Sequence, residues 1–171
     1  MDLSPVQTLP VENAVVSDPK TLVLGLGNPI LRDDAIGLHV AQALRPLFEG
    51  HPRVDVGEDT WGGLRLMERL EGYDRAIVID AMCSGEAPGT IRLLSPDDVP
   101  THHSSSLHDI SLPVALELGR RAGATVPLSA NITLVGIEAV DVLSFGEELS
   151  PAVEAALPKA VEIVRTLLGH V

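Results

Sequence analysis

The chain has 171 residues, 45% hydrophobic and 21% charged, which suits one globular domain with a core of ordinary size. Its formal net charge of −12 argues against wrapping nucleic acid or resting on an anionic membrane, because both would repel it. Cys83 is the one cysteine, so neither an internal disulfide nor a multi-thiolate zinc site is available, and 2% aromatics are too few for a base-stacking platform.

Residues 1–19 hold Pro5, Pro10 and Pro19 and no apolar period, and read as a flexible N-terminal tail ahead of a domain spanning 20–171. The tail lacks the basic start and apolar run of an export signal, so the expected compartment is the cytoplasm. No apolar run approaches the ~20 residues of a membrane-spanning helix. Thr21 to Leu26 reads as a buried strand. Ile36, Val40, Leu44 and Leu47 then recur at helical spacing, with Asp33 or Asp34 as the N-cap. Val54 to Val56 is a short strand. Leu64, Met67 and Leu70 mark a helix after Gly62-Gly63, and Ala76 to Ile79 is the clearest strand.

Pro88-Gly89 signals a turn before a strand over Thr90 to Leu94, which is expected to run antiparallel because no helix crosses over to it. Ser95 to Ser106 reads as a polar loop. Ser111 caps a helix carrying Leu112, Ala115, Leu116 and Gly119, and Asn131 to Ile137 is the last strand. Ser150-Pro151 opens a final helix with a stripe of Val153, Leu157, Val161, Val164 and Leu168, and Pro158 is expected to kink it. Alternating strands and helices predict an α/β single-domain three-layer sandwich: a mostly parallel sheet of about five strands, helices on both faces.

In such a sheet, ligands bind beyond the carboxyl ends of the strands. The residues that follow or end the strands include Asp33, Asp34, Glu58, Asp59, Asp80 and Glu138, a crowd of carboxylates that predicts a cation. Gly25-Leu26-Gly27-Asn28 suggests a dinucleotide loop, but Ile30 stands where the third glycine belongs and two aspartates open the helix, so no nucleotide or other organic cofactor is expected. Either aspartate of the pair suffices as a cap. Asp80 ends an apolar strand, where a carboxylate costs desolvation unless something pairs with it, and so reads as functional. An imidazole from His102, His103 or His108 would complete a divalent-metal site with open positions. Cys83 has no evident basic partner and reads as a small buried thiol, and Trp61 reads as core.

Together, Gly25-Leu26-Gly27-Asn28-Pro29-Ile30-Leu31-Arg32-Asp33-Asp34-Ala35-Ile36-Gly37, then Val78-Ile79-Asp80-Ala81, Ser106-Leu107-His108-Asp109 and Val135-Gly136-Ile137-Glu138, resemble the hydrogenase maturation endopeptidases from Thr21 to Leu168. The resemblance implies an endopeptidase that removes a C-terminal extension from the nickel-loaded large-subunit precursor of a [NiFe] hydrogenase. It also implies Asp34, Asp80 and His108 as the metal contacts. Such a site could hold a resident metal that polarises the scissile carbonyl and activates water, but three ligands with no general-base glutamate beside the histidine match zinc-peptidase helices poorly and favour nickel supplied by the substrate. Asp34 and Asp80 are the candidate catalytic residues, as base toward water. Many members place glutamate at the position of Asp34. Two rival readings are a non-proteolytic nickel-binding chaperone or checkpoint protein, and a peptidyl-tRNA-type hydrolase suggested by Gly-Leu-Gly-Asn-Pro, which the acidic charge disfavours.

Overall fold

The computed structural model describes residues 18–98 and 111–169. Five strands, β1 (Thr21–Leu26), β2 (Val54–Asp59), β3 (Arg75–Met82), β4 (Ile91–Leu94) and β5 (Ile132–Glu138), form one sheet in the order β2-β1-β3-β5-β4. The first four neighbours in that order are parallel. β4 alone runs antiparallel, pairing Ile91 with Ile137 and Leu94 with Leu134. A turn held by the Thr90 N–H to Ala87 carbonyl bond reverses the chain before β4, so no crossover helix is needed.

Four helices cover the sheet: α1 (Ile36–Leu44), α2 (Gly63–Leu70), α3 (Leu112–Arg121) and α4 (Pro151–Leu168). Side chains alternate across each strand and divide the core in two. Val23, Ile77, Ile79, Val135 and Ile137 pack with Ile36, Val40 and Leu44 of α1 and Val153, Ala160 and Val164 of α4. On the opposite face Leu22, Leu24, Ala76 and Val78 pack with Leu66 and Leu70 of α2 and Leu116 of α3. The molecule is thus the expected single-domain three-layer sandwich.

Several local expectations change. β2 extends to Asp59 and β3 to Met82, because their parallel pairing with β1 and β5 continues past the apolar residues, to Leu26 opposite Asp59 and Glu138 opposite Met82. In α2 the buried positions are Leu66 and Leu70, a four-residue step, while Leu64 is exposed. Trp61 is 60% exposed rather than core, since it lies beyond the end of β2. Cys83 is also exposed. Pro158 lies on the solvent side of α4, which continues on both sides of it.

Glycine sets how closely α1 approaches the sheet. A Cβ on Gly25 would collide with the Gly37 carbonyl, and one on Gly37 with the carbonyls of Leu26 and Ile79. The first turn of α1 therefore lies backbone-to-backbone on β1 and β3. Gly27, at φ +148°, faces the Asp34 carbonyl in the same way, so the loop leaving β1 folds directly against the residues that precede α1.

Candidate active site at the carboxyl edge

Six carboxylates were expected to crowd the carboxyl edge, and the structure satisfies four of them with protein donors. Glu58 accepts a hydrogen bond from Gln42 Nε2 at 3.0 Å and pairs with Arg45. Asp59 sits between Arg65 and Arg69 at 3.7 and 3.5 Å. Glu138, 3% exposed at the end of β5, accepts from the Ser84 hydroxyl at 2.7 Å and from the Ser84 and Gly85 N–H groups at 2.9 and 2.8 Å. Burial alone would push its carboxyl up, but these donors outweigh it and hold Glu138 below its ordinary value. The crowding at this edge is therefore not, for the most part, a demand for a cation.

Asp33 is the fourth. A 3-10 turn over Asp33–Ala35 precedes α1, and neither aspartate caps that helix through its side chain. Asp33 is fully buried and acts at long range: Oδ2 accepts from the N–H groups of Val140 and Asp141 at 2.9 and 3.0 Å and from the Ser150 hydroxyl at 2.8 Å. Oδ1 accepts from the Ser150 N–H at 2.7 Å, across 117 residues of sequence. Burial raises its pKa and the four donors more than reverse that, leaving it lowered. Ser150 stands at the N-cap of α4, but its hydroxyl serves Asp33 rather than the helix. Ser111 likewise occupies the N-cap of α3 without a side-chain bond.

Asp34 and Asp80 remain. Asp34 Oδ2 accepts from the Asn28 N–H at 2.8 Å, which ties it to the loop leaving β1. Asp80 Oδ1 accepts from the Ala81 N–H at 2.9 Å. Among the described residues no donor reaches the second oxygen of either carboxylate. Asp80 is pushed up to about 7, first by burial and then by the negative charge of Asp34, against the opposing Ala81 N–H. A carboxyl so placed exchanges a proton near neutral pH, as a general base or acid must. Partial desolvation of the thiol is the largest cause raising Cys83, followed by the negative charges of Glu138, Asp34 and Asp33. A thiol held protonated in this way is a poor nucleophile.

His108 lies outside the described residues, as do His102 and His103. Among the described residues no group of three His, Cys, Asp or Glu side chains could hold a metal ion. Two carboxylates offer a divalent metal hard oxygen donors, but need a further ligand. Thr125, beyond α3, receives a hydrogen bond from the Gly72 N–H at 2.8 Å beside the start of β3, so α3 ends at the amino edge and begins toward the carboxyl edge.

The sequence and the fold have counterparts among known proteins. The family model HycI, hydrogenase maturation protease, matches residues 38–167. The Hydrogenase 2 maturation protease of Escherichia coli K12 is 31% identical over 152 residues, 87% of this chain and 90% of its own. The hydrogenase expression/formation protein HupD of Rhizobium leguminosarum bv. viciae is 28% identical over 158 residues, covering 91% of this chain and 77% of its own. Among solved structures, the hydrogenase maturating endopeptidase HybD from E. coli superposes with a TM-score of 0.70 at 32% identity, over 87% of this chain and 91% of that one. The chain belongs to the hydrogenase maturation protease family, a family of peptidases.

The sequence singles out Asp34 and Asp80 but does not disclose that Asp33 and Glu138 are satisfied by protein donors. The available signal was their neighbours: Ser84-Gly85 and Ser150 are small donors next to turns, the usual partners of a buried carboxylate.

Proposed function

We propose that the protein is the endopeptidase that removes a C-terminal extension from the large-subunit precursor of a [NiFe] hydrogenase after nickel has been installed. One observation carries the reading: two carboxylates at the carboxyl edge each keep an oxygen free of described protein donors, and one of them titrates near neutrality. Every other carboxylate expected at that edge is already paired. Asp34, Asp80 and His108 would meet the nickel carried by the substrate, two oxygens and an imidazole being a weak, open ligand set rather than a closed cage. No organic cofactor is required.

In this reading the ionised Asp80, whose pKa burial and then the Asp34 charge raise to about 7, also takes the proton of the attacking water. Anchoring of the precursor by its own nickel would hold the scissile bond against the edge and make cutting conditional on completed metal insertion. The reaction belongs in the cytoplasm, where thiols and the folding precursor are both available.

The test is mass spectrometry of purified precursor, nickel-loaded and nickel-free, after incubation with the protein. Loss of a C-terminal peptide from the nickel-loaded form alone is the expected result. Equal cutting of both forms, together with stoichiometric zinc in the protein, would make it an ordinary metallopeptidase. Binding without any cutting would leave a nickel-binding checkpoint protein instead.

A further inference from the structure

The most exposed large apolar side chains of the described residues, Leu143 (83%) and Phe145 (80%), lie in the loop between β5 and α4. Val140 in the same loop and Ile30 in the loop after β1 are 58% and 56% exposed. These two loops are clipped together. Leu31 and Phe145 form an antiparallel bridge, the Gly146 N–H donates to the Ile30 carbonyl at 3.1 Å, and the Arg32 N–H donates to the Ser144 carbonyl at 3.2 Å. Asp141 Oδ1 accepts from the Leu143 and Ser144 N–H groups at 3.1 and 2.9 Å, fixing the tip that carries Leu143. Holding leucine and phenylalanine in water on a pinned backbone gains the isolated chain nothing, whereas a preformed apolar surface lowers the ordering cost of binding a partner.

Position and charge say which partner. The clip continues into the candidate site, because Ile30 shares a loop with Asn28, whose N–H holds Asp34. Beside Phe145 a shallow cavity is lined by Arg32, Ser144, Gly146, Glu147 and Glu148. Arg32 is occupied there by Asp141 at 4.0 Å and by the Glu148 carbonyl at 3.3 Å. Glu147 and Glu148 are exposed and make no ion pair among the described residues, on a chain of net charge −12. An apolar centre with an acidic border fits a protein face that offers an apolar knob bordered by lysine or arginine.

We infer that this clip is the docking surface for the folded body of the large-subunit precursor, seating it beside Asp34 through an apolar, basic-bordered face. The inference rests on the proposed function, since it takes its partner from there. The test titrates nickel-loaded precursor against the wild type, the L143S/F145S pair, the E147K/E148K pair and, as a control at an exposed apolar residue of strand β4, L93S. The serine pair is expected to weaken binding by at least about tenfold and to raise KM while kcat at saturating precursor holds. The lysine pair is expected to slow association and flatten its salt dependence, and L93S to match the wild type. Equal affinity of the serine pair and the wild type overturns the inference, as does a wild type that does not bind the precursor. A wild-type dimer in sedimentation that the serine pair dissociates would give the surface to a second copy and also overturn it. Binding by the wild type without cleavage would end the proteolytic reading, and the affinity ratio would still judge the surface.

Discussion

Asp33 and Asp34 are neighbours in sequence with opposite fates. Asp33 turns inward and spends both oxygens on four donors, while Asp34 keeps one oxygen clear of them. Asp33→Ala would leave buried donors of Val140, Asp141 and Ser150 unpaired, and is expected to cost at least ~3 kcal/mol, read by denaturant titration. Asp80 has the reverse balance. Its raised pKa means that ionising it opposes folding, so stability attached to this group is present below the ordinary carboxylate range and lost as pH rises through about 7. Asp80→Asn is therefore expected to abolish cleavage yet raise stability at pH 8 by about 1–3 kcal/mol, measured by thermal melts beside the cleavage assay. Cleavage that survives in Asp80→Asn would remove this residue from the mechanism. Asp34→Glu is expected to keep activity, because the family resemblance places glutamate there.

At the scale of elements, the site depends on how tightly α1 sits on the sheet. Gly37→Ala would drive a methyl into the carbonyls of Leu26 and Ile79, and is expected to cost about 3 kcal/mol or more and to displace Asp34, seen as lost cleavage in whatever protein still folds. The elements themselves were legible in the sequence because apolar periodicity reports burial: Thr21–Leu26 has the predicted bounds, and the antiparallel edge strand followed from a Pro-Gly turn too short for a crossover. What was not legible depends on distant partners. Pairing of Asp33 with Ser150, or of Glu138 with Ser84, leaves no trace at short range, so acidic residues that are internally satisfied looked the same as those left open. Trp61 and Cys83 failed for a related reason. Residue type favours burial for both, yet each lies just past a strand end, where the core has stopped.

Across the whole molecule, two buried carboxylates set the response to acid. Asp33 and Glu138 are both held below their ordinary values when folded, so their stabilisation is complete above about pH 4–5 and is lost as pH falls through the lowered folded values. Acid unfolding followed by circular dichroism is expected to begin below about pH 4, and Glu138→Gln to make that transition shallower. A transition unchanged in Glu138→Gln would show that this carboxylate does not govern it. Both groups fasten loops at the same edge as Asp34 and Asp80, so the acid limb of any activity profile is expected to end with the loss of these loops.

The bond from Ser150 to Asp33 also has a consequence in time. A ribosome releases the glycine-rich loop and both aspartates early, but every side-chain and backbone donor that receives Asp33 belongs to residues 140–150, and β5 must enter the sheet between β3 and β4. A nascent chain that has exposed only its first half carries Asp34 and Asp80 on an unfinished central sheet, with Asp33 still lacking the donors of residues 140–150. The carboxyl edge is thus expected to be complete only when the last strand and helix close over the first.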